Sequence, residues 1–198
     1  MRQREAVDVA ELPTYGFGAR SPIWWGTLGF IALEGMGFAL AAGAYLFLAY
    51  VNPQWPVAEP PELLAGTLLL VTLLASVLPN VWLDHKAKEE NLGAVRIGLV
   101  IMSVIGVLTL IIRGFEFGMM NTRWDSSAYG SVLWLLLGLH TTHLLTDVGD
   151  TFVVTALMFT KHGKGKRFSD VSDNCFYWHF VVASWVPIYG LIYWAARI

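Results

Sequence analysis

The sequence predicts an all-α, polytopic membrane bundle of five transmembrane helices, and three observations carry that reading. Hydrophobic residues make up 56% of the 198 positions and charged residues only 14%, well below the roughly one quarter usual in soluble domains. Five stretches are apolar over the roughly 20 residues that a helix needs to cross a bilayer. Nine tryptophans and seven tyrosines suit a chain whose rings collect where hydrocarbon meets headgroups.

The helices are expected at residues 23–50, 62–83, 92–118, 128–160 and 174–196, after a polar N-terminal segment of residues 1–22. Asn52-Pro53 closes the first helix and Glu59-Pro60-Pro61 introduces the second, because proline lacks the amide hydrogen and fits a helix only in its first turn. Asp84 to Glu90, Asn121 to Ser127 and the Gly/Lys-rich Lys161 to Phe168 are expected as the remaining connections. Gly35, Ala39 and Gly43 recur at four-residue spacing in the first helix, a pattern that lets backbones approach closely in lipid. The segment Met1 to Ala19 lacks the apolar core and small-residue cleavage site of a signal peptide, so the first helix is expected to direct insertion itself.

Orientation follows from the basic residues. With the N-terminus inside, the inner segments hold Arg2, Arg4, Arg20, Lys86, Lys88, Arg96, Lys161, Lys164, Lys166 and Arg167, and the outer ones only Arg113, Arg123 and Arg197. Lys and Arg concentrate on the cytoplasmic side, so an N-inside, C-outside topology is expected. Cys175 is the sole cysteine, which excludes an intramolecular disulfide and any iron–sulfur or dinuclear copper centre that takes two thiolates from this chain. No basic run interleaved with aromatics is present, so nucleic acid is not an expected partner. The odd helix count and the lack of an internal repeat disfavour an inverted-repeat transporter.

Charged groups at membrane depth are costly and mark candidate functional positions. Glu34 lies in an apolar stretch from Phe30 to Phe38 with no basic residue within two turns. Either a hydrogen bond to another helix or a part in proton handling accounts for it. Arg113 and Glu116 are spaced to pair on one helix face. His140, His143, Asp147 and Asp150 fall at i, i+3, i+7 and i+10, roughly one stripe. Such a stripe suits either a zinc or manganese ion or a hydrogen-bonded seam with Thr141, Thr142, Thr146 and His179. The seam is favoured, since one helix supplies too few ligands and no second-helix Glu-x-x-His accompanies it. Of the five histidines, His140, His143 and His179 are expected inside helices. A bis-histidine haem is disfavoured because His179 is expected to open the last helix, at a different depth from His140.

Several of these residues carry a resemblance. Tyr177-Trp178-His179-Phe180, followed by Trp185 and Ile192-Tyr193-Trp194, resembles the last helix of the cytochrome c oxidase subunit III family. Gly138-Leu139-His140-Thr141-Thr142-His143 is similar to that family's Gly-x-His-x-x-His in the penultimate helix, and Tyr129-Gly130-Ser131 precedes it in the same way. Glu116, His85 and Glu34 resemble, in turn, a glutamate ending the preceding helix, a histidine after the helix before that, and a carbodiimide-reactive membrane glutamate. The order holds along residues 23–198, as in the short five-helix form of the family, which lacks the first two of seven helices and serves both cytochrome c and quinol oxidases. Val182 stands where the family usually has Asp, and Asp147 where it usually has Gly.

The resemblance implies a subunit without a catalytic centre, metal, haem or copper of its own. Haem and copper are then expected in the partner subunits I and II of a haem-copper oxidase. It further implies bound phospholipid in a cleft between the first two helices and the rest, with Trp178, His179 and His85 as lipid-binding candidates. Support of proton uptake around Glu34 and a multi-pass place in the inner (plasma) membrane are implied too. Arg113, Glu116, His140, His143, Asp147, Asp150 and His179 form the expected polar seam. The readings from other classes are a b-type cytochrome using His140 or His143 with His179, and a metal or proton transporter built on the His/Asp stripe.

Overall fold

The computed structural model describes residues 15–161, 163–195 and 197; residues 1–14, with Arg2 and Arg4, and His162 lie outside them. Five helices follow in order: α1 (Pro22–Val51), α2 (Leu63–Lys88), α3 (Leu92–Gly118), α4 (Ala128–Phe159) and α5 (Lys166–Tyr189), which continues into one wider turn, Gly190–Trp194. No strand is present among the described residues.

Local chemistry sets the ends. Pro22 occupies the first turn of α1, where its missing amide hydrogen has no cost. The Asn91 side chain accepts from the Ala94 amide at 3.1 Å and the Ser127 hydroxyl from the Gly130 amide at 3.1 Å; each satisfies an otherwise orphaned donor at a helix start. Gly165, at φ 54°, turns the chain into α5 in a conformation that glycine adopts without strain. Pro187 interrupts the backbone ladder near the end of α5, and the π-type turn follows three residues later.

Four helices, α1, α2, α3 and α5 with its last turn, are long and apolar enough to cross a membrane. The fourth, α4, has the length, at 32 residues, but not the apolarity, because it carries His140, His143, Asp147, Asp150 and several threonines. His140, His143, Asp147 and Thr151 are turned inward, whereas Thr142, Thr146 and Asp150 are exposed: α3 packs on one side of α4 and α5 on another, while α1 rests on α4 and α5, and α2 packs on α3 and α5. The core is leucine-rich, with Leu69, Leu73, Leu99, Leu133, Leu136 and Leu137 fully buried. Conversely, Leu33, Met36, Leu40 and Phe47 of α1 point outward, as expected where the surrounding solvent is hydrocarbon.

Two helix ends differ from the expectation. Helix α2 runs to Lys88 and α5 begins at Lys166, so Asp84 to Lys88 and Asp170 to Asn174 are helical. The polar residues left outside the expected helices find partners: Ser172 donates to Asp84 Oδ1 at 2.6 Å, and Ser169 to the Gly16 carbonyl at 2.7 Å. Lys88 pairs with Asp84 one turn back at 2.6 Å. His179 therefore sits well inside α5 rather than at its start.

The Gly35, Ala39 and Gly43 stripe brings no close helix approach: a Cβ at Gly35 would lie 3.9 Å from the Phe180 ring, and one at Gly43 would touch nothing. Helix α1 lies at the margin of the bundle, and Ala39 and Gly43 are exposed. Close approach occurs at Gly66 of α2, where a Cβ would fall 2.3 Å from the Tyr193 ring. Tyr193 is fully buried and has no room to retreat. Gly66→Ala is therefore expected to cost about 1–3 kcal/mol, as overpacked cores do, and to displace the Tyr193 hydroxyl from its partner. Thermal unfolding of the detergent-solubilised variant checks this; an unchanged midpoint would show that α2 and α5 are not so closely seated.

Candidate functional site

The polar residues of the helices gather into separate buried centres, and the first joins α1, α4 and α5. Glu34 Oε1 lies 3.1 Å from His143 Nε2, and the Tyr177 hydroxyl donates to Glu34 Oε2 at 2.6 Å. The other imidazole nitrogen of His143, Nδ1, is 2.6 Å from the Leu139 carbonyl one turn back. A carbonyl only accepts, so Nδ1 carries a hydrogen. The contact between Nε2 and Oε1 then holds one proton, either as carboxylic acid against neutral imidazole or as carboxylate against imidazolium. Both forms are neutral overall, which suits a half-apolar surround in which Phe38 and Phe180 lie 4.7 and 6.3 Å from the His143 ring. Glu34 has no basic neighbour along its own helix, yet it has one across the bundle.

A second centre lies toward the other end of the bundle. Arg113 Nη1 and Glu116 Oε2 pair at 2.6 Å, with each side chain 1% exposed. Arg113 Nη2 donates to His140 Nδ1 at 2.8 Å, and His140 Nε2 donates to the Val181 carbonyl at 3.0 Å. The Tyr193 hydroxyl donates to Glu116 Oε1. The Trp185 ring lies 4.0 Å from the Arg113 guanidinium carbon, a cation–π contact strengthened by exclusion from water. Arg113 and Glu116 pair as their spacing predicts, whereas nothing in the local sequence announces Tyr193, Trp185 or the Val181 carbonyl as partners.

The His/Asp stripe is thus divided. His140 belongs to the Arg113 centre and His143 to Glu34, while Asp147 and Asp150 share the side-chain amide of Asn174, at 3.2 and 3.1 Å. Thr151 donates to Asn174 Oδ1 at 3.2 Å. Thr141, Thr142 and Thr146 bond carbonyls of their own helix, and Thr146 also contacts the Tyr177 hydroxyl of α5. No group of three or more His, Cys, Asp or Glu side chains among the described residues is gathered to hold a metal ion.

His179 faces α2. Its Nδ1 donates to the Cys175 carbonyl at 2.7 Å, beside the Asn80 amide, which donates to the same carbonyl at 2.9 Å. The neighbouring Trp178 is 2% exposed and donates its indole N–H to Ser76 at 2.8 Å, so its ring is an interior side chain. His85 lies in the last turn of α2, on an exposed face, rather than after the helix. The expected depth mismatch between His179 and His140 does not hold either, since His140 bonds to Val181, two residues past His179.

A cavity of about 620 Å³ opens beside the first centre, lined by residues of α1, α4 and α5 that include Asp147, Asp150, Asp173 and Tyr177.

Comparison with known proteins adds the decisive observation: the family model described as cytochrome c oxidase subunit III matches residues 54–197, well over half the chain. The chain belongs to the cytochrome c oxidase subunit III family. Its relatives include the cytochrome c oxidase subunit 3 of Artemia franciscana, 28% identical over 188 residues that cover 90% of this chain and 70% of that protein. The corresponding subunit of Oryctolagus cuniculus is 27% identical over 146 residues, 73% of this chain and 53% of the relative. That of Drosophila yakuba is 29% identical over 124 residues, 62% of this chain and 47% of the relative. The chain thus spans about half the length of two of these subunits and more of the third. The family match takes in α2 to α5 and both His140 and His143; Glu34 lies before it, in α1.

Proposed function

We propose that the chain is a subunit III that carries no redox centre and serves a haem-copper oxidase, binding to its subunits I and II, stabilising them and supporting proton uptake. The observation that carries the reading is the Glu34–His143–Tyr177 centre, in which a carboxyl and an imidazole from different helices meet at 3.1 Å, with the Tyr177 hydroxyl donating to the other carboxyl oxygen. Such a pair changes its proton location without creating net charge, so it handles protons where an isolated carboxylate would be expensive. Phospholipid binding in a cleft between the first two helices and the rest, near His85, Trp178 and His179, belongs to the same reading. So do a place in the inner (plasma) membrane and a cytoplasmic start of α1, which the distribution of Lys and Arg supports.

The engagement of the histidines argues against a b-type cytochrome. Both ring nitrogens of His140 and both of His143 already face hydrogen-bonding partners, so an axial ligand would have to break one of these bonds. The division of the His/Asp stripe likewise disfavours a metal transporter.

Purification of the tagged chain in mild detergent tests the proposal. Haem-containing subunits are expected to accompany it, and the chain separated from them is expected to be colourless. A stable, pigmented monomer would overturn the reading.

A further inference from the structure

We propose that the cavity between α1, α4 and α5 is a water-filled inlet in which Asp147 takes up protons and feeds them to the Glu34–His143 pair. The inference rests on the reading of Glu34 as a proton-handling group and adds to it a route and an entry residue.

The placement of the cavity is the first support. It is lined by Gly26 near the start of α1, Val154 near the end of α4, and Arg167, Asp170 and Asp173 at the start of α5. These helix ends lie at the same end of the bundle, so the mouth opens there. Its floor is Asp147 and Tyr177. Tyr177 stands ten residues beyond Arg167 on α5, about 15 Å along the axis. The volume of about 620 Å³ exceeds many times the ~30 Å³ that one water occupies in the liquid.

The second support is the state of Asp147. The residue is 2% exposed; Oδ1 accepts from Asn174, while Oδ2 has no hydrogen-bond partner. A buried carboxylate oxygen without a partner is costly, and water standing in the cavity is the partner that this position admits. Glu34 is one step away, since the Tyr177 hydroxyl that donates to it belongs to the floor of the same cavity. The charged and titratable groups around Asp147 among the described residues are Glu34 from α1, His143 and Asp150 on α4, and Arg167, Asp170, Asp173, Cys175 and Tyr177 from α5. Arg167 is paired with Asp170 at 2.7 Å, which leaves the inlet with an excess of acidic groups that attracts protons to its mouth.

The transfer balances with water alone. A hydronium ion in the cavity protonates Asp147 Oδ2 and departs as water. The new O–H bond then breaks as a water-bridged transfer raises the Glu34–His143 pair from one shared proton to two, and the Asp147 carboxylate is restored. One proton moves, no electron does, and the pair returns to its neutral form when it passes the proton on.

The test uses the intact complex. Cys175 is fully buried, so an introduced cysteine reports access with little background. Val154→Cys in the cavity wall is expected to react with a quaternary-ammonium methanethiosulfonate. Val148→Cys, which packs toward Gly106 of α3, is expected not to. Turnover is then followed as the pH rises and protons become scarce. Asp147→Asn, which keeps the bond to Asn174, and the modified Val154→Cys protein are both expected to lose activity several-fold at alkaline pH while matching wild type at acid pH. Asp147→Glu restores the profile, and adding Asp147→Asn to Glu34→Gln produces no further loss. An unreactive Val154→Cys, or a wild-type profile in Asp147→Asn while Glu34→Gln is impaired, would overturn the inlet. A Glu34→Gln protein that behaves as wild type overturns the reading of Glu34 itself, whatever Asp147 does.

Discussion

Glu116→Ala is expected to destabilise the protein by about 3–5 kcal/mol, the usual consequence of removing one partner of a buried ion pair. Arg113 would keep its charge at 1% exposure, with a hydrogen bond to His140 and the face of Trp185 and its Nε already without a partner. The Tyr193 hydroxyl would lose its acceptor as well. The same change at an exposed pair such as Arg123 and Asp125 is expected to cost about 1 kcal/mol or less, because water replaces the lost partner. Removing both charges together, as Arg113→Met with Glu116→Leu, is expected to recover part of the loss, since an apolar pair can substitute for a buried ionic one. Recovery stays partial because His140 Nδ1 and the Tyr193 hydroxyl then lack partners. Thermal unfolding of the four proteins in detergent measures the coupling. Equal midpoints for wild type and Glu116→Ala would mean that the pair is not held apart from water.

Glu34→Gln is expected to abolish carbodiimide labelling of the chain while the complex still assembles. The reagent attacks a protonated carboxyl, and the amide offers none. The change keeps the shape and an oxygen for the Tyr177 hydroxyl, but it removes the proton shared with His143 and leaves an amide N–H to donate to Nε2. Assembly should therefore survive, whereas proton translocation per electron, or resistance to inactivation over many turnovers, should fall more than the initial rate of oxygen consumption. The reason is location: the redox centres belong to other subunits of the proposed complex. Mass-spectrometric mapping of the labelled peptide, together with proton-to-electron ratios, checks both halves. Labelling that persists in Glu34→Gln would refute the assignment, and lost labelling with unchanged pumping and durability would leave Glu34 a structural acid.

Composition and hydropathy alone determined that this is a helical membrane protein, with its helices separated where prolines, glycines and polar runs stand. The reason is general: lipid offers no hydrogen bonds, so apolar length and backbone self-satisfaction are written directly into the residues. The i, i+3 pairing of Arg113 with Glu116 was equally legible, since helix geometry makes such residues neighbours whatever lies beyond. The family's residue pattern was readable for the same local reason, from short stretches such as Tyr177 to Phe180.

What the helix ends and the polar partners would be was decided only by tertiary packing. Asp84 and Ser172 lie outside the helices that the sequence predicts, yet they extend α2 and α5 because each helix supplies the other's hydrogen bond. The His/Asp stripe looks like one site because four side chains share a face of α4. Small rotations along that face nevertheless direct His140 to α3, His143 to α1 and Asp147 to α5. A helix's own sequence specifies which residues are polar and which way each points, but the partner across the bundle depends on the crossing and rotation of its neighbours. Burial then makes that choice binding, because a polar group in hydrocarbon that misses its partner has no water to turn to.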